Sequence, residues 1–274
     1  MGVAAPELRR LDVTGCAIEY SERGKGRPLL FLHPGHPSGR VDPGARVFEL
    51  LAENARVIAP THPGFGATAA PAHLTNVDDL AYLYLDLMEA MNLRDCAVVG
   101  VGFGGWIAAE MAVKNCQRMS HLVLANSVGI KAGDRETRDI ADIYAVTDKQ
   151  LAELVYADVK AMMRDPKSLP ESELIMMARS REATGRYGWT PYLHDPKLKQ
   201  RLHRVQVPAL VLWGETDRVV TPDYGRAFAA AIPGARFAAI AGAGHFPHLE
   251  QPYDFAARIK DFVEETGFVK EIGR

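Results

Sequence analysis

Three short segments of this 274-residue chain contain the residues whose types and spacing suit catalysis. The first, residues 100–104 with the sequence GVGFG, joins an apolar strand pattern to a helical one. The second places Asp217 shortly after the apolar run that ends at Trp213, and the third places His245 in a Gly-rich loop. A carboxylate bonded to one ring nitrogen orients a histidine and stabilises its cation, so the other nitrogen can accept a proton. Asp217 and His245 are therefore the predicted proton-transferring pair.

The elements that position these residues are predicted from apolar runs and their periodicity. Short apolar runs bounded by Gly and Pro predict buried strands. They are Pro28–His33, Arg56–Pro60, Cys96–Val101, Leu122–Asn126, Ala209–Trp213 and Arg236–Ala241, with two lead-in strands between Leu8 and Glu22. Helical spacing separates several of them, as in the apolar face running from Leu80 to Met91. Strands that alternate with helices predict a mostly parallel sheet covered on both faces.

The alternation is interrupted between Gly129 and Val207. The interrupted segment has helical periodicity and is rich in Met, Tyr and charged residues. A helical insertion between two sheet strands predicts a cap, with residues 1–128 and 201–274 as the core and residues 129–200 as the cap. Its Tyr, Met and Trp side chains predict a small to medium, mostly apolar ligand, although they could equally form the cap's own core.

The order of turn, acid and histidine resembles that of a capped α/β-hydrolase, of the kind that includes meta-cleavage hydrolases and cofactor-free haloperoxidases. The resemblance covers nearly the whole chain. It implies an α/β fold with a mostly parallel eight-stranded sheet flanked by helices, and with the cap inserted after strand 6. It also implies an oxyanion hole made by the Phe103 N–H and by a second N–H in the loop HPGHP, residues 33–37. Gly35 or His36 supplies that second N–H, depending on the alignment.

The chain departs from this family at the nucleophile. Where the family motif G-x-S-x-G has serine, this sequence has Gly102. Glycine adopts the positive φ of such a turn freely, but it has no side chain to attack a carbonyl. The turn is therefore expected to be kept and the nucleophile position vacant. In a serine hydrolase, loss of the serine costs about 10⁶ in kcat.

Three functions remain compatible with Gly102. The favoured one is an enzyme in which His245, held by Asp217, acts as general base on water or on the substrate. Hydrolysis of an ester or a C–C bond, or a cofactor-free lyase step, would suit it. The alternatives are a ligand-binding pseudo-enzyme and a serine esterase whose nucleophile was replaced by glycine. Phe246 stands where meta-cleavage hydrolases commonly carry Trp, which weakens that specific assignment.

Further candidates for the pocket are His33, Trp106, Ser127, Trp189, Phe246 and His248. We expect His33 and His62 to be structural hydrogen bonders and Trp106 to be mainly a core residue. No metal is predicted, since the loop histidines lack a ligand spacing or a carboxylate cluster. No cofactor is predicted either. Glycines at 100, 102 and 105 spell a dinucleotide fingerprint, but no acidic residue ends the next strand.

Composition excludes several partners. Hydrophobic residues make up 47% and charged residues 24% of the chain, and the net charge is -2. Without a basic excess we expect no nucleic-acid or membrane partner, only a small-molecule substrate or ligand. The apolar runs are shorter than the ~18 residues of a membrane helix. The three scattered cysteines form no disulfide pattern, and no signal peptide is visible, so we expect a cytoplasmic protein. The oligomeric state stays open.

Overall fold

Eight strands form one sheet in the computed structural model, which describes residues 8–35, 45–66 and 68–267. In chain order they are β1 (Leu8–Val13), β2 (Cys16–Arg23), β3 (Arg27–Leu32), β4 (Ala55–Pro60), β5 (Cys96–Val101), β6 (Met119–Ala125), β7 (Ala209–Gly214) and β8 (Arg236–Ile240). Their order across the sheet is β1-β2-β4-β3-β5-β6-β7-β8. The pairs β1/β2 and β2/β4 are antiparallel, and every later pair is parallel. The predicted fold class, a mostly parallel eight-stranded sheet, is confirmed.

Helices cover both faces of this sheet. They are α1 (Arg46–Ala52), α2 (Val77–Ala90), α3 (Gly102–Lys114), α4 (Asp148–Val155), α5 (Val159–Met162), α6 (Glu171–Gly188), α7 (Leu198–Arg201), α8 (Pro222–Ala231), α9 (Pro247–Glu250) and α10 (Pro252–Thr266). Apolar side chains of α2, α3 and α8 build one core, and those of α1 and α10 build a second core. Strands β5 and β6 are buried along their whole length, as expected for parallel strands covered on both sides.

Strand β6 begins three residues earlier than the apolar pattern predicts. Ser120 and His121 break that pattern, yet both are buried in the strand. His121 Nδ1 lies 3.0 Å from the Ser120 hydroxyl, and its Nε2 lies 3.0 Å from the hydroxyl of Thr266 in α10. Because the two polar side chains satisfy each other and a neighbouring helix, they are compatible with a buried strand.

The chain between β6 and β7 is helical, as its periodicity predicts. It contains α4 to α7, and its one β-bridge in the described residues joins Gly129 to His194. Helix α6 lies against the loops after β3 and β4, since Thr184 approaches Gly35 and Tyr187 approaches Gly64. The division into core and cap stays a prediction. Among the described residues, no helix combines the length and the apolar character needed to cross a membrane.

Candidate active site

The turn from β5 into α3 has the backbone that the sequence predicts. Val101 is extended at φ −113°, and Gly102, the first residue of α3, has φ +51°. A residue with a side chain adopts this left-handed conformation only at an energetic cost. Gly102 therefore occupies the geometry of a nucleophile elbow without carrying a nucleophile.

Asp217 and His245 form a buried hydrogen-bonded pair, which we call the dyad. Nδ1 of His245 lies 2.8 Å from Oδ2 of Asp217, and the two residues are 5% and 3% exposed. Oδ1 of Asp217 accepts the backbone N–H groups of Val219 at 2.8 Å and Val220 at 3.1 Å. Oδ2 also accepts from the side chain of Asn126 at 2.7 Å. Four N–H groups therefore hold the carboxylate in one orientation, which in turn fixes the imidazole ring.

Asn126 is the positioning residue that the sequence analysis missed. It directly follows β6, where it adopts φ +46°. Besides Asp217, its Nδ2 reaches the carbonyl of Gly244 at 3.2 Å, and its Oδ1 accepts from the N–H of Gly214 at 3.2 Å. One side chain thus links the acid, the end of β7 and the histidine loop. A polar residue directly after a buried strand, at the carboxyl edge of a parallel sheet, is a signal that could have marked it as a candidate, although not its partner.

The free nitrogen of His245 faces the elbow. A Cβ atom placed on Gly102 would lie 3.4 Å from His245 Nε2. A hydroxyl one bond beyond that Cβ is within hydrogen-bond reach of Nε2. The same Cβ would lie 3.1 Å from Pro34 Cβ and 3.3 Å from the Pro34 carbonyl oxygen. The space beside Gly102 is therefore narrow and is bounded by the loop after β3.

Both predicted oxyanion donors within the described residues make bonds inside the protein. The N–H of Phe103 donates to the carbonyl of Pro34 at 3.3 Å. The N–H of Gly35 donates to His33 Nδ1 at 3.2 Å. The other candidate, His36, lies outside the described residues. In this structure both N–H groups are therefore engaged within the protein, and their role as oxyanion donors stays a prediction.

His33 and His62 are buried partners beneath this loop, in agreement with the structural role predicted for them. Their rings stack with centroids 3.7 Å apart, and His62 Nε2 donates to the His33 carbonyl at 2.9 Å. His62 Nδ1 then accepts from the hydroxyl of Tyr84. Burial lowers the pKa of His62 to about 3 and that of His33 well below its ordinary value. Among the residues that the structure describes, no three His, Cys, Asp or Glu side chains group as metal ligands.

Two other candidates lie beside the elbow and the dyad. Trp106 is buried, with its ring 6.0 Å from that of Phe103 and its Nε1 donating to Glu110 at 3.4 Å, so it belongs mainly to the core. Phe246 is also buried, with its ring 5.1 Å from that of His245.

Three further pocket candidates are placed as follows, and their assignment to the pocket stays a prediction. Trp189 is 59% exposed and packs on Tyr144 and Tyr192, because α6 ends before it and leaves it at the surface. His248 in α9 is buried in a group of rings made by Phe31, Phe246 and Phe255. The Ser127 hydroxyl is buried beside Gly105 and has no hydrogen-bond partner among the residues that the structure describes.

The C-terminal end of α4 binds the loops that carry the dyad. The His245 N–H donates to the carbonyl of Val155 at 2.6 Å, and the Arg218 N–H donates to that of Leu154 at 3.2 Å. The carboxylate of Glu250 adds a bridge, accepting from Gly244 N–H at 2.9 Å and Ala157 N–H at 2.7 Å. The catalytic loops and this helix are therefore held together largely through the main chain.

Two tyrosines of the inserted segment reach the surroundings of the dyad. Tyr156 packs its ring 6.0 Å from Phe246, and Tyr187 packs 6.4 Å from Phe103. The lining of the site is aromatic at these points, which suits an apolar ligand.

Buried neutral histidines predict a specific loss of stability in acid. Burial lowers the pKa of His62 and of His248 to about 3 in the folded state. Below the unfolded value of about 6.5, the unfolded chain binds protons that the folded chain does not, so stability falls as pH decreases towards 3. Each such histidine costs about 1.4 kcal/mol per pH unit. We expect His248→Leu to reduce the loss of unfolding free energy between pH 7 and pH 5 by about 2 kcal/mol.

Urea unfolding of the unmodified protein and of His248→Leu at both pH values measures this difference. His203→Leu is the matched control, since His203 is exposed. An unchanged pH dependence in His248→Leu would contradict the prediction.

Comparisons with known proteins identify the family of this chain. A 2-hydroxy-6-oxo-6-(2'-aminophenyl)hexa-2,4-dienoic acid hydrolase of Metapseudomonas resinovorans is 27% identical over 93% of this chain and 90% of its own. A 2-hydroxymuconate semialdehyde hydrolase of Pseudomonas sp. (strain CF600) is 26% identical over 96% of both chains. The crystal structure of a serine hydrolase involved in carbazole degradation superposes with a TM-score of 0.76 at 25% identity, covering 95% of this chain and 100% of that one. The sequence profile described as the Alpha/beta hydrolase family matches residues 29–258. This chain therefore belongs to the alpha/beta hydrolase family.

Proposed function

We propose that this protein is a hydrolase in which His245, oriented by Asp217, acts as general base in the space beside Gly102. The observation that carries the proposal is the direction of His245: Nδ1 is bonded to Asp217, and Nε2 faces the vacant nucleophile position. We infer that one water molecule takes the place of the absent side chain beside Nε2. A base held in this way removes a proton from that water or from an acidic group of the substrate.

The proposed reaction balances without a covalent enzyme intermediate. His245 Nε2 takes a proton from water while the water oxygen forms a bond to the substrate carbonyl carbon. The carbonyl electron pair moves to its oxygen, which the N–H of Phe103 at the start of α3 would stabilise after leaving the carbonyl of Pro34. Collapse of the tetrahedral species breaks the bond to the leaving alkoxide or carbanion, and the proton on Nε2 passes to that leaving group. Asp217 remains a carboxylate throughout.

The substrate class is proposed from the relatives and from the surroundings of the site. The two relatives are named as hydrolases of a 2-hydroxy-6-oxo-hexadienoic acid and of 2-hydroxymuconate semialdehyde, and both substrates contain a carbonyl group. Aromatic side chains of Tyr156, Tyr187 and Phe246 surround the site, so we propose a small to medium, mostly apolar ester or ketone. Phe246 in the position after the histidine favours the broader class over one ring-cleavage product.

The test compares three proteins on two substrates, 2-hydroxymuconate semialdehyde and p-nitrophenyl butyrate. We expect His245→Ala to lower turnover by about 10²–10⁴, the usual contribution of a general base. Trp189→Ala is the control, because Trp189 lies at the surface away from the dyad. Turnover that survives in His245→Ala at the unmodified rate would contradict the proposal. Saturable binding without product would identify a ligand-binding pseudo-enzyme instead.

A second candidate is a serine hydrolase whose nucleophile was replaced by glycine. It is favoured by the positive φ of Gly102 and by the 3.4 Å between His245 Nε2 and a Cβ placed there, since both suit a serine. Turnover by the unmodified protein distinguishes the two candidates, since a serine hydrolase that lacks its nucleophile loses about 10⁶ in kcat.

The remaining expectations belong to the same proposal. We propose that residues 129–200 act as a cap over a core of residues 1–128 and 201–274, which the contacts of α4 and α6 with the catalytic loops support. We further propose that the reaction uses no cofactor and takes place in the cytoplasm on a small-molecule substrate. None of the three cysteines, all of which lie in the described residues, forms a disulfide, which suits a reducing compartment.

A further inference from the structure

One peptide unit, Pro34–Gly35, carries two groups that matter to the site. Its carbonyl points at the elbow, where it accepts the Phe103 N–H at 3.3 Å. Its N–H points the opposite way and donates to His33 Nδ1 at 3.2 Å. Because a peptide unit is planar, turning it over would exchange the directions of these two groups.

The backbone on either side permits this rotation. Proline fixes φ of residue 34 but leaves its ψ free to turn. Gly35 has φ +78°, and as a glycine it adopts the opposite sign of φ without a steric cost. A flip of this peptide changes ψ of Pro34 and φ of Gly35, and these are the two angles that the residue types do not restrict.

His33 makes the observed orientation of the peptide costly. Its Nδ1 faces the Gly35 N–H at 3.2 Å, and its Nε2 faces the His62 N–H at 3.0 Å. A neutral imidazole has one acceptor nitrogen and one N–H, so it accepts from only one of these two donors. In the observed arrangement, one buried N–H is left facing another N–H.

The flipped orientation removes that conflict. His33 in its Nδ1–H form would donate to the Pro34 carbonyl, while Nε2 would accept from the His62 N–H. The Gly35 N–H would then point where the Pro34 carbonyl now lies, beside the Phe103 N–H. Two N–H groups would converge there with no acceptor, which is the arrangement that stabilises an oxyanion.

We propose that the Pro34–Gly35 peptide is a two-position switch of the oxyanion hole, with His33 as its positioning residue and Gly35 as the second donor. This rests on the proposed function, because the switch serves the oxyanion of that reaction. In the resting position the Pro34 carbonyl fills the hole. An oxyanion binds only the flipped position and shifts the population towards it.

The deciding experiment uses a probe that places an oxygen in the hole. Gly102→Ser is treated with an alkyl fluorophosphonate, the serine oxygen displaces fluoride from phosphorus, and the crystal structure of the adduct is determined. We expect the Gly35 and Phe103 N–H groups on the phosphoryl oxygen and the Pro34 carbonyl on His33 Nδ1. A Pro34 carbonyl that still accepts the Phe103 N–H in the adduct would overturn the switch.

If Gly102→Ser does not react with the fluorophosphonate, His245 does not act as a base there, which counts against the proposed function. The switch is then tested separately, on the unmodified protein. Nitrogen-15 NMR of the ring of His33 and of the Gly35 amide reports both positions. Exchange of Gly35 on the microsecond-to-millisecond timescale, together with two His33 tautomers, supports the switch. A single His33 tautomer with no exchange at Gly35 rejects it.

Two amide variants separate positioning from packing. His33→Asn keeps a polar group near the Nδ1 position, whereas His33→Gln keeps one near Nε2. In the Gly102→Ser protein we expect His33→Gln to lower kcat by about 10²-fold, the effect of losing an oxyanion donor, with KM nearly unchanged. The loss in His33→Asn should be at least ten times smaller. Equal losses in both variants would mean that His33 only packs.

Discussion

Gly102→Ser is expected to raise the turnover of p-nitrophenyl butyrate by at least ~10³-fold, within the ~10⁶ that separates a serine hydrolase from its serine-less form. The elbow already has φ +51°, and a Cβ there lies 3.4 Å from His245 Nε2. The new hydroxyl therefore meets a base that is already oriented. The gain stays below the upper limit because the same Cβ would be 3.1 Å from Pro34 Cβ, so this loop must move by a few tenths of an ångström.

The control is the double variant Gly102→Ser with His245→Ala, which should lose this gain and fall to the rate of the unmodified protein or below it, because it has no general base. Steady-state ester hydrolysis and labelling by a fluorophosphonate measure both effects. A Gly102→Ser protein that neither hydrolyses esters nor takes the label would mean that the site does not perform acyl transfer. Proton abstraction from a substrate would then be the remaining use of the dyad.

Asp217→Asn is expected to lower His245-dependent turnover by about 10⁴-fold, whether measured in the unmodified protein or in Gly102→Ser. Oδ1 of Asp217 accepts the N–H groups of Val219 and Val220, so the amide oxygen of the new residue must stay there. Its NH2 then faces Asn126 and His245 Nδ1. Nδ1 becomes an acceptor, the ring proton moves to Nε2, and the base is lost.

Asp223→Asn provides the matched control, because Asp223 lies at the start of α8 with its side chain 95% exposed. Initial rates and thermal melting of both variants separate catalysis from folding. An Asp217→Asn protein within tenfold of its parent would show that Asp217 does not set the tautomer of His245.

The sequence predicted the features that depend on local pattern. Strand β5 and helix α3 follow from an apolar run, a Gly-rich turn and a helical period, and their junction at Gly102 has the expected positive φ. The parallel sheet follows from the alternation of such units and from a family resemblance that the sequence profile confirms. Asp217 and His245 were paired by their order in the chain, and they lie 2.8 Å apart.

The direction in which an individual side chain or backbone carbonyl points was not predictable from the sequence. Asn126 reads as the last residue of an apolar run, and only the sheet order places it against Asp217. The Pro34 carbonyl occupies the oxyanion hole through a backbone angle that no residue type specifies. Trp189 is of a residue type that is common in pockets. It faces solvent because it lies one position beyond the end of α6.

The bonds between α4 and the dyad loops have a consequence for divergence and design. They run from the N–H groups of Arg218 and His245 to the carbonyls of Leu154 and Val155, so they do not depend on the side chains there, except that proline at 218 or 245 would remove the donor. Substitutions that tune substrate choice can therefore accumulate in α4 without separating it from the catalytic loops. Insertions or deletions near Val155 would break these bonds, because they would move the carbonyls of Leu154 and Val155 away from their N–H donors. Exchange of this segment between relatives should succeed where its length is kept, however different its residues are.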